Sequence, residues 1–361
     1  MARLQAEARE GTLVEASRLT VGQYLERWLV GYRSQVRSGS WSAADGHVRN
    51  YLVPHIGDIV LQALDRAAIK ELYATLQSCG AARARQLPDG SEDRSLSAKT
   101  VHNVHLTLHR ALEDAVHDGL LRTNPAASVG RGRGVATTPP KATVESWTAA
   151  ELASFLTAAR AERLYPLLHL AAYTGMRRGE LIGLRWRSID LDAATVTVIR
   201  QRLKDATGVT EVEYGKSTRS RRTIDLDPDT VAVMHEHRAR SAEHRGWLDL
   251  PPAGLDDLVF VGEEAQPLYP DTVSQLFDRI VTTLHGVRRV SLHSLRHTHA
   301  TLLLAAGVPP HVVSRRLGHA SEAFTLSQYS HVLPQQGAHA AAAFADAVRD
   351  RSTPPSTGPV E

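Results

Sequence analysis

The sequence has little cysteine, few aromatic residues and no long hydrophobic run. Its single cysteine, Cys79, excludes an intrachain disulfide and a multi-cysteine metal site, which fits a reducing compartment. No apolar stretch approaches the ~20 residues that a membrane-spanning helix needs, and the first residues lack the apolar segment of a secretion signal. These absences predict a cytoplasmic protein with no membrane partner.

Acidic residues are missing from one long segment of the chain. Residues 279–321 contain no Asp or Glu, whereas six Arg and six His fall in the same window. The formal net charge of the whole chain is only +3, so the clustering of charge is more informative than its total. A segment of this kind is suited to bind a polyanion.

The length and composition predict two packed domains. The chain has 361 residues, of which 42% are hydrophobic and 22% charged, as in ordinary globular proteins. A second acid-free stretch, residues 119–144, is rich in Gly, Pro, Thr and basic residues and predicts a linker. We expect an N-terminal segment over 1–18, a first domain over 19–121, a basic linker over 122–146, a second domain over 147–350 and a disordered tail over 351–361.

Helical periodicity dominates the residues before the linker. Start signals at Thr20, Ser42, Asp65 and Ser97 predict four helices. Pro54, Gly80 and Gly119 are expected to end the second, third and fourth of them. Residues 81–95, with Pro, Gly and mixed charge, predict an exposed loop.

The second domain mixes helices with short strands. Thr148 and Glu151 form a capping box, and Gly175 predicts a helix end directly before Arg177. Further helices are predicted from Asp227 onward, over 270–284 and over 338–348. Strands are predicted over 196–200, 209–214 and 223–226, with Lys216 at the tip of a hairpin between the last two. The predicted fold class is therefore mainly α with a small antiparallel β-sheet (α+β).

Three short motifs stand out in the second domain. Residues 173–184 read YTGMRRGELIGL, in which a Thr-Gly-x-Arg-x-x-Glu core contains Arg177 and Glu180. Residues 215–226 read GKSTRSRRTIDL and begin with Lys216. The acid-free segment then gives the motifs His-x-x-Arg and Leu-Gly-His, and nine residues separate the second motif from a tyrosine. The residues of this third group are His293, Arg296, His319 and Tyr329.

Each of these residues alone would ordinarily be a surface or core residue, but their order and spacing resemble the tyrosine recombinases, the phage integrase family. The resemblance implies an N-terminal four-helix core-binding (SAM-like) domain and a catalytic domain. It implies that Arg177 and Arg296 bind the scissile phosphate, with Glu180 in support. The other implied catalytic residues are Lys216, His293, His319 and Tyr329.

The resemblance also implies a role for each of these side chains. Lys216 would act as general acid, although Lys204 is a rival on the preceding strand. His293 would accept the tyrosine proton or hold the phosphate, and His319 would donate a hydrogen bond to it. Tyr329 would form a 3′-phosphotyrosyl link, and the reaction would need no metal and no cofactor.

The resemblance implies that the substrate is double-stranded DNA that carries attachment sites. It also implies that the protein binds these sites as a homotetramer, in the cytoplasm and associated with the nucleoid. Family members commonly dock a C-terminal helix on a neighbouring protomer, and residues 338–348 are the candidate here. The candidate DNA-binding residues are Lys99, His102, Arg110, Arg219, Arg221 and Arg222. The first three lie with His105 and His109 on the polar side of a helix, which a solvated face explains equally well. A host bending protein or directionality factor, the attachment sequence and the preferred direction stay open.

Three alternatives stay open beside a recombinase of a phage or mobile element: a chromosome-dimer resolvase, a type IB topoisomerase-like enzyme and a DNA-binding relative without catalysis. Loop 81–95 and the long linker favour an element-encoded integrase. Residues 1–18 leave no room for a full arm-binding domain, which puts a two-site bridging mechanism in doubt.

Gly215-Lys216-Ser217 lacks the spacing of a phosphate-binding P-loop, and His293 with His297 lacks the Glu and the third ligand of a zinc site.

Overall fold

The computed structural model describes residues 15–81, 85–86, 92–127, 129, 145–205, 208–215, 220–319, 321–329 and 345. These residues are mostly helical with small antiparallel sheets, which confirms the predicted fold class. Apart from residues 205–208, the chain divides into two compact units, residues 1–142 and residues 143–361, and each unit has its own hydrophobic core. None of the described helices is both long and apolar enough to cross a membrane.

The first unit is a helical bundle whose core contains the fully buried side chains of Leu25, Tyr73 and Leu108. Its helices are α1 (Val21–Gln35), α2 (Ser38–His47), α3 (Val53–Ile56), α4 (Arg66–Cys79) and α5 (Ala98–His117). The segment predicted as a loop contains a short antiparallel pair, β1 (Arg85–Gln86) and β2 (Glu92–Asp93).

Three of the predicted helix starts in this unit are confirmed. The side chains of Thr20, Asp65 and Ser97 each accept a hydrogen bond from the backbone N–H three residues further on, which satisfies a donor that the helix itself cannot. At Thr20 the bond is reciprocated, because the side chain of Gln23 accepts from the backbone N–H of Thr20.

The second predicted helix differs from its prediction at both ends. It begins at Ser38 rather than Ser42, after Arg37 in extended conformation, where the weak helix formers of the Ser-Gly-Ser sequence hide the start. It also passes Pro54, because residues Val48–Leu52 form a π-helical segment that leads directly into α3. The wider π turn accommodates a residue that lacks an N–H and whose ring would clash within a continuous α-helix.

The second unit contains most of the helices and has an aromatic core. Its helices are α6 (Ala149–Ala159), α7 (Tyr165–Thr174), α8 (Arg178–Ile182), α9 (Pro228–Trp247), α10 (Pro270–Thr283), α11 (Ser294–Ala305), α12 (Pro310–Leu317) and α13 (Glu322–Tyr329). Trp147, Phe155 and Phe277 pack together with ring centroids 4.9 to 5.7 Å apart. The capping box of Thr148 and Glu151 at the start of α6 is confirmed.

The strands of the second unit form two small sheets. They are β3 (Ile189–Asp190), β4 (Thr195–Val198), β5 (Arg200–Asp205), β6 (Gly208–Glu213) and β7 (Arg222–Asp225). The strand order of the first sheet is β3-β4-β7, with Val196 opposite Ile224, and β5 pairs with β6. The strand predicted over 196–200 is therefore divided between two sheets, and the hairpin predicted between 209–214 and 223–226 is wrong. The connection that contains Lys216 joins two sheets, and residues 216–219 lie outside the described residues.

Candidate active site

Arg296 lies buried on the first turn of α11, where two backbone carbonyls hold its guanidinium. Nη1 donates to the carbonyl oxygen of Gly175 at 2.8 Å and Nη2 to that of Leu317 at 2.7 Å, and the residue is 4% exposed. Burial first, and the charge of Arg177 second, lower the pKa of Arg296 to about 9. The guanidinium therefore stays a cation at neutral pH, with both ends fixed.

Gly175 ends α7 in the left-handed region, with a φ of 63°, as the sequence predicted for a helix end at this position. A Cβ atom at this position would lie 2.5 Å from Leu317 Cδ2 and 3.1 Å from His299 Cδ2. Glycine is therefore required both by the backbone conformation and by the close approach of α12. This contact brings the Gly175 carbonyl within reach of Arg296.

Arg177 is the residue that precedes α8, and Glu180 orients it. The Glu180 carboxylate accepts from the backbone N–H of Arg177 at 2.8 Å and from its Nη1 at 2.9 Å. Nη2 of Arg177 donates to the carbonyl oxygen of Gly318 at 3.2 Å. Because the side chain of Arg177 is 33% exposed, a ligand can reach its guanidinium. Arg177 and Arg296 are thus both bonded to carbonyls of the segment that ends α12.

Arg222 is buried beneath this site, which differs from the prediction of a DNA contact. Its guanidinium donates to both carboxylate oxygens of Glu180, at 3.0 and 2.8 Å, and to the carbonyl oxygen of Arg316 at 2.7 Å. Because the Glu180 carboxylate accepts two of its hydrogen bonds and balances its charge, the Arg222 guanidinium is not available to a phosphate. Arg222 instead balances the charge of Glu180.

Glu180 is the centre of this network and is 1% exposed. The Tyr214 hydroxyl also donates to its Oε1, at 3.1 Å. Burial alone would raise the pKa of the carboxyl, but the hydrogen bond and charge of Arg222, followed by the charge of Arg177, lower it to about 2. Glu180 is therefore ionised at neutral pH and can orient Arg177 in a fixed direction.

His319 follows Gly318, whose φ of 68° ends α12 in the left-handed region. The ring of His319 is 7% exposed, and its Nδ1 lies 2.7 Å from the Thr325 hydroxyl on α13. Burial, with the nearby charges of Arg296 and Arg177, lowers the pKa of His319 to about 3. The imidazole is therefore neutral at pH 7, and its tautomer is set by the bond to Thr325.

Tyr329 is the last residue of α13 and is 1% exposed. Its ring packs in a small apolar cluster with four side chains of α11 and α12, which are Ala300, Leu304, Val313 and Leu317. Its hydroxyl lies 2.6 Å from Nδ1 of His297. Burial raises the pKa of Tyr329 to about 12 although the charge of Arg296 acts in the opposite direction. The hydroxyl is therefore protonated in the DNA-free protein.

His293 directly precedes α11 and lies one helical turn before His297. The two rings meet edge to face, with centroids 4.9 Å apart. Loss of hydration first, then the charges of Arg296 and Arg177, lower the pKa of His293. The structure thus brings together five of the six predicted catalytic residues, which are Arg177, His293, Arg296, His319 and Tyr329.

The sixth predicted residue, Lys216, lies outside the described residues, as does Arg219. Its rival Lys204 makes an exposed ion pair with Asp271, with Nζ 2.6 Å from Oδ2. Its position on β5 therefore gives no reason to prefer it to Lys216.

The other candidate DNA-binding residues differ in exposure. Lys99 and Arg221 are exposed, whereas His102 is partly buried. Arg110 is exposed but pairs with Asp114. His105 departs from its predicted place on the polar side of α5, because its ring is buried and lies 2.9 Å from the Tyr73 hydroxyl.

Comparison with known sequences shows which family has this arrangement. The sequence profile of the phage integrase family matches residues 145–336, which is more than half of the chain. The chain belongs to the phage integrase family. The profile of the N-terminal SAM-like domain of phage integrases matches residues 20–77. The membership that the three motifs predicted is confirmed, as is the SAM-like type of the first domain.

Relatives of this family member include a tyrosine recombinase XerC-like protein of Caldanaerobacter subterraneus subsp. tengcongensis. It is 27% identical over 350 residues, which cover 92% of this chain and 84% of the relative. The ICEBs1 integrase of Bacillus subtilis is 25% identical over 251 residues, which cover 68% of this chain and 64% of the relative. Such identities fit a distant member of the family.

Solved structures of integrases share its fold. The Tn1549 transposon integrase in complex with circular intermediate DNA is 20% identical, with a TM-score of 0.70 over 89% of this chain and 98% of that chain. A lambda integrase tetramer bound to a Holliday junction is 19% identical, with a TM-score of 0.57 over 89% of this chain and 82% of that chain.

Sequence reasoning missed three residues that the structure places at the candidate site, which are Tyr214, Thr325 and His297. Tyr214 bonds to Glu180, and Thr325 bonds to His319. For Tyr214 and Thr325 the sequence contains no signal, because their contacts are made between elements distant in the chain. His297 did leave a signal, since it is four residues after His293 on one helix face. In the sequence that spacing was considered only as part of a zinc site, which the missing Glu and third ligand argued against.

Proposed function

We propose that this member of the phage integrase family is a site-specific DNA recombinase. It cuts and rejoins DNA through a 3′-phosphotyrosyl intermediate during integration or excision of a phage or mobile element. The observation that supports this most directly is the convergence of two fixed guanidiniums, those of Arg177 and Arg296, with His319 and Tyr329 around the end of α12.

The two arginines supply the charge that the reaction needs. A phosphodiester carries a negative charge that repels an oxygen nucleophile, and further charge accumulates in the transition state. Within the described residues, Arg296 donates to neutral carbonyls, so its positive charge remains available to the phosphate. Removal of one such donor set typically lowers the rate by ~10²–10³-fold.

Tyr329 is the nucleophile in this proposal. Its Oη forms a bond to phosphorus while the bond from phosphorus to the 5′ oxygen breaks, and Lys216 protonates that oxygen. If Thr325 donates to Nδ1 of His319, the neutral ring carries its proton on Nε2 and can donate it to a non-bridging oxygen. The covalent link conserves the energy of the phosphodiester, so a new 5′-hydroxyl can attack it without ATP.

Double-stranded DNA is the proposed substrate, and four protomers act on two attachment sites. The likeness to a lambda integrase tetramer bound to a Holliday junction supports this assembly. Exposed Lys99 and Arg221 are the proposed phosphate contacts among the described residues. Residues 338–348 stay the candidate contact between protomers and lie outside the described residues.

Covalent trapping tests the proposal. The protein is incubated without added metal with nicked duplexes that tile the DNA flanking its gene, and is then denatured. We expect a DNA–protein adduct at a 3′-phosphate with wild type and none with Tyr329→Phe, which keeps the ring of the nucleophile. Tight binding of wild type without any adduct would favour a DNA-binding relative without catalysis. Relaxation of supercoiled plasmids of unrelated sequence would favour a topoisomerase-like enzyme.

A further inference from the structure

The Tyr329 hydroxyl makes a hydrogen bond that the catalytic set above leaves unexplained. Within the described part of the chain, its partner is Nδ1 of His297, at 2.6 Å. The two rings are tilted with centroids 5.9 Å apart, and the tyrosine ring is fixed by its apolar cluster. The contact therefore joins two side chains that are both held in place, one on α11 and one on α13.

We infer that His297 is a further catalytic residue, whose Nδ1 accepts the phenolic proton as Tyr329 attacks the phosphate. This inference rests on the proposed function. In this step the O–H bond of Tyr329 breaks, its Oη bonds to phosphorus, and the bond to the 5′ oxygen breaks. The phenolic proton passes to His297, and the departing 5′ oxygen receives a different proton from Lys216.

The geometry favours His297 over His293 for this role. The hydrogen bond to the hydroxyl is made by His297, whereas His293 packs edge to face with the His297 ring. In the tautomer that can accept a proton at Nδ1, His297 carries its own proton on Nε2. His293, which precedes α11 and is exposed, is then left to contact the phosphate.

The charges around His297 explain why the proton stays on Tyr329 until DNA is bound. Burial first, and then the adjacent His293 and Arg296, lower the pKa of His297 to about 4, while burial raises that of Tyr329 to about 12. Within the described part of the chain, the ionisable groups close to the His297 ring are His293, Arg296, His319 and Tyr329. A phosphate bound to Arg296 cancels part of the positive charge that disfavours the imidazolium. Transfer then becomes favourable only as the new bond to phosphorus removes charge from the phenolic oxygen.

The first test compares His297→Gln with wild type in single-turnover adduct formation on the nicked duplexes that tile the flanking DNA. Glutamine keeps a hydrogen-bonding group near the hydroxyl but cannot accept a proton at neutral pH. We expect adduct formation ~10²–10⁴-fold slower, the usual contribution of a general base, with unchanged DNA binding and thermal unfolding. The matched control is His235→Gln, since His235 is exposed on α9, outside the acid-free segment 279–321, and should react at the wild-type rate.

Two chemical substitutions then separate proton acceptance from positioning. In His297→Gln, replacement of Tyr329 by a ring-fluorinated tyrosine, whose hydroxyl is more acidic, should recover much of the lost rate. A duplex with sulfur in place of the 5′ bridging oxygen has a leaving group that needs no proton. This duplex should restore the rate of adduct formation in Lys216→Ala, whereas His297→Gln should remain slow on it.

Each other outcome is decisive. Adduct formation by His297→Gln at the wild-type rate overturns the inference, and so does a slow variant that the fluorinated tyrosine fails to recover, since His297 then only positions the ring. Recovery of His297→Gln by the sulfur duplex overturns it too, because His297 would then serve the leaving group. Failure of wild type itself to form an adduct on any duplex contradicts the proposed function, and the two failures are thus distinguishable.

Discussion

Two neighbouring arginines, Arg221 and Arg222, differ in burial although they share a basic sequence context. Arg221 is exposed, whereas Arg222 is buried against Glu180. We expect Arg222→Met to lower the free energy of unfolding by about 3–5 kcal/mol, because removal of one partner leaves part of a buried carboxylate charge unbalanced. Arg221→Met, the matched control, should change it by less than about 0.5 kcal/mol. Urea denaturation measures both, and equal midpoints would contradict the assigned role of Arg222.

Gly175 is the residue at which backbone conformation and close packing coincide. Alanine there would adopt a φ of 63° and would also overlap Leu317. The conformational cost is about 1–2 kcal/mol, and overpacking adds about 1–3 kcal/mol. Gly307→Ala is the control, because Gly307 has a φ of 82° but a Cβ atom added there would meet no atom within 4 Å. It should therefore show only the conformational cost. Thermal unfolding separates the two variants, and similar losses would mean that α12 can move away from Gly175.

Helix α11 is the element whose stability should depend most on pH. It contains His297 and His299, and their pKa values are about 4 and about 3, mainly because of burial, against an ordinary value of 6.5. The unfolded chain gains these protons below pH 6.5 while the folded protein does not. The free energy of unfolding should therefore fall as the pH drops from 6.5 towards 4, by up to about 1.4 kcal/mol per pH unit for each histidine.

Urea denaturation at a series of pH values, without DNA, measures this slope. In His299→Gln the free energy of unfolding should fall less steeply with pH, by the contribution of one proton, because the buried imidazole of His299 is absent. A slope that is equal in wild type and in His299→Gln would show that His299 is protonated in the folded state.

At the scale of the whole molecule, the location of Tyr329 bears on how protomers share the reaction. Its ring packs against residues of its own α11 and α12, and its hydroxyl meets its own His297. We therefore predict cleavage in cis. A mixture of Tyr329→Phe and Arg177→Ala protomers should form no more adduct than either variant alone on the nicked duplexes. Recovery of adduct in the mixture would show that one protomer supplies the tyrosine to the arginine of another.

Structural features that depend on residues close together in the sequence were predictable, whereas those that depend on residues far apart were not. Caps at Thr20, Asp65 and Ser97 were predictable because each bond joins residues three apart. The strand pairing around Lys216 was not, because β-pairing depends on which distant strand completes the sheet. The helix expected to stop near Pro54 ends two residues later, at Ile56, because the π-helical segment Val48–Leu52 leads directly into a further helical turn.

By itself, the sequence determined the family and the order of the three motifs, and it predicted Arg177, Arg296, His319 and Tyr329 as site residues, because the chemistry at a phosphate demands particular side chains in a particular order. The tertiary structure alone decided which of them touch. It buried Arg222 against Glu180 and packed the His105 ring into the core of the first unit, against Tyr73. It also brought His297 within hydrogen-bond distance of the Tyr329 hydroxyl. The physical reason is that burial and hydrogen bonding depend on how helices distant in sequence pack, and a local pattern contains no measure of that packing.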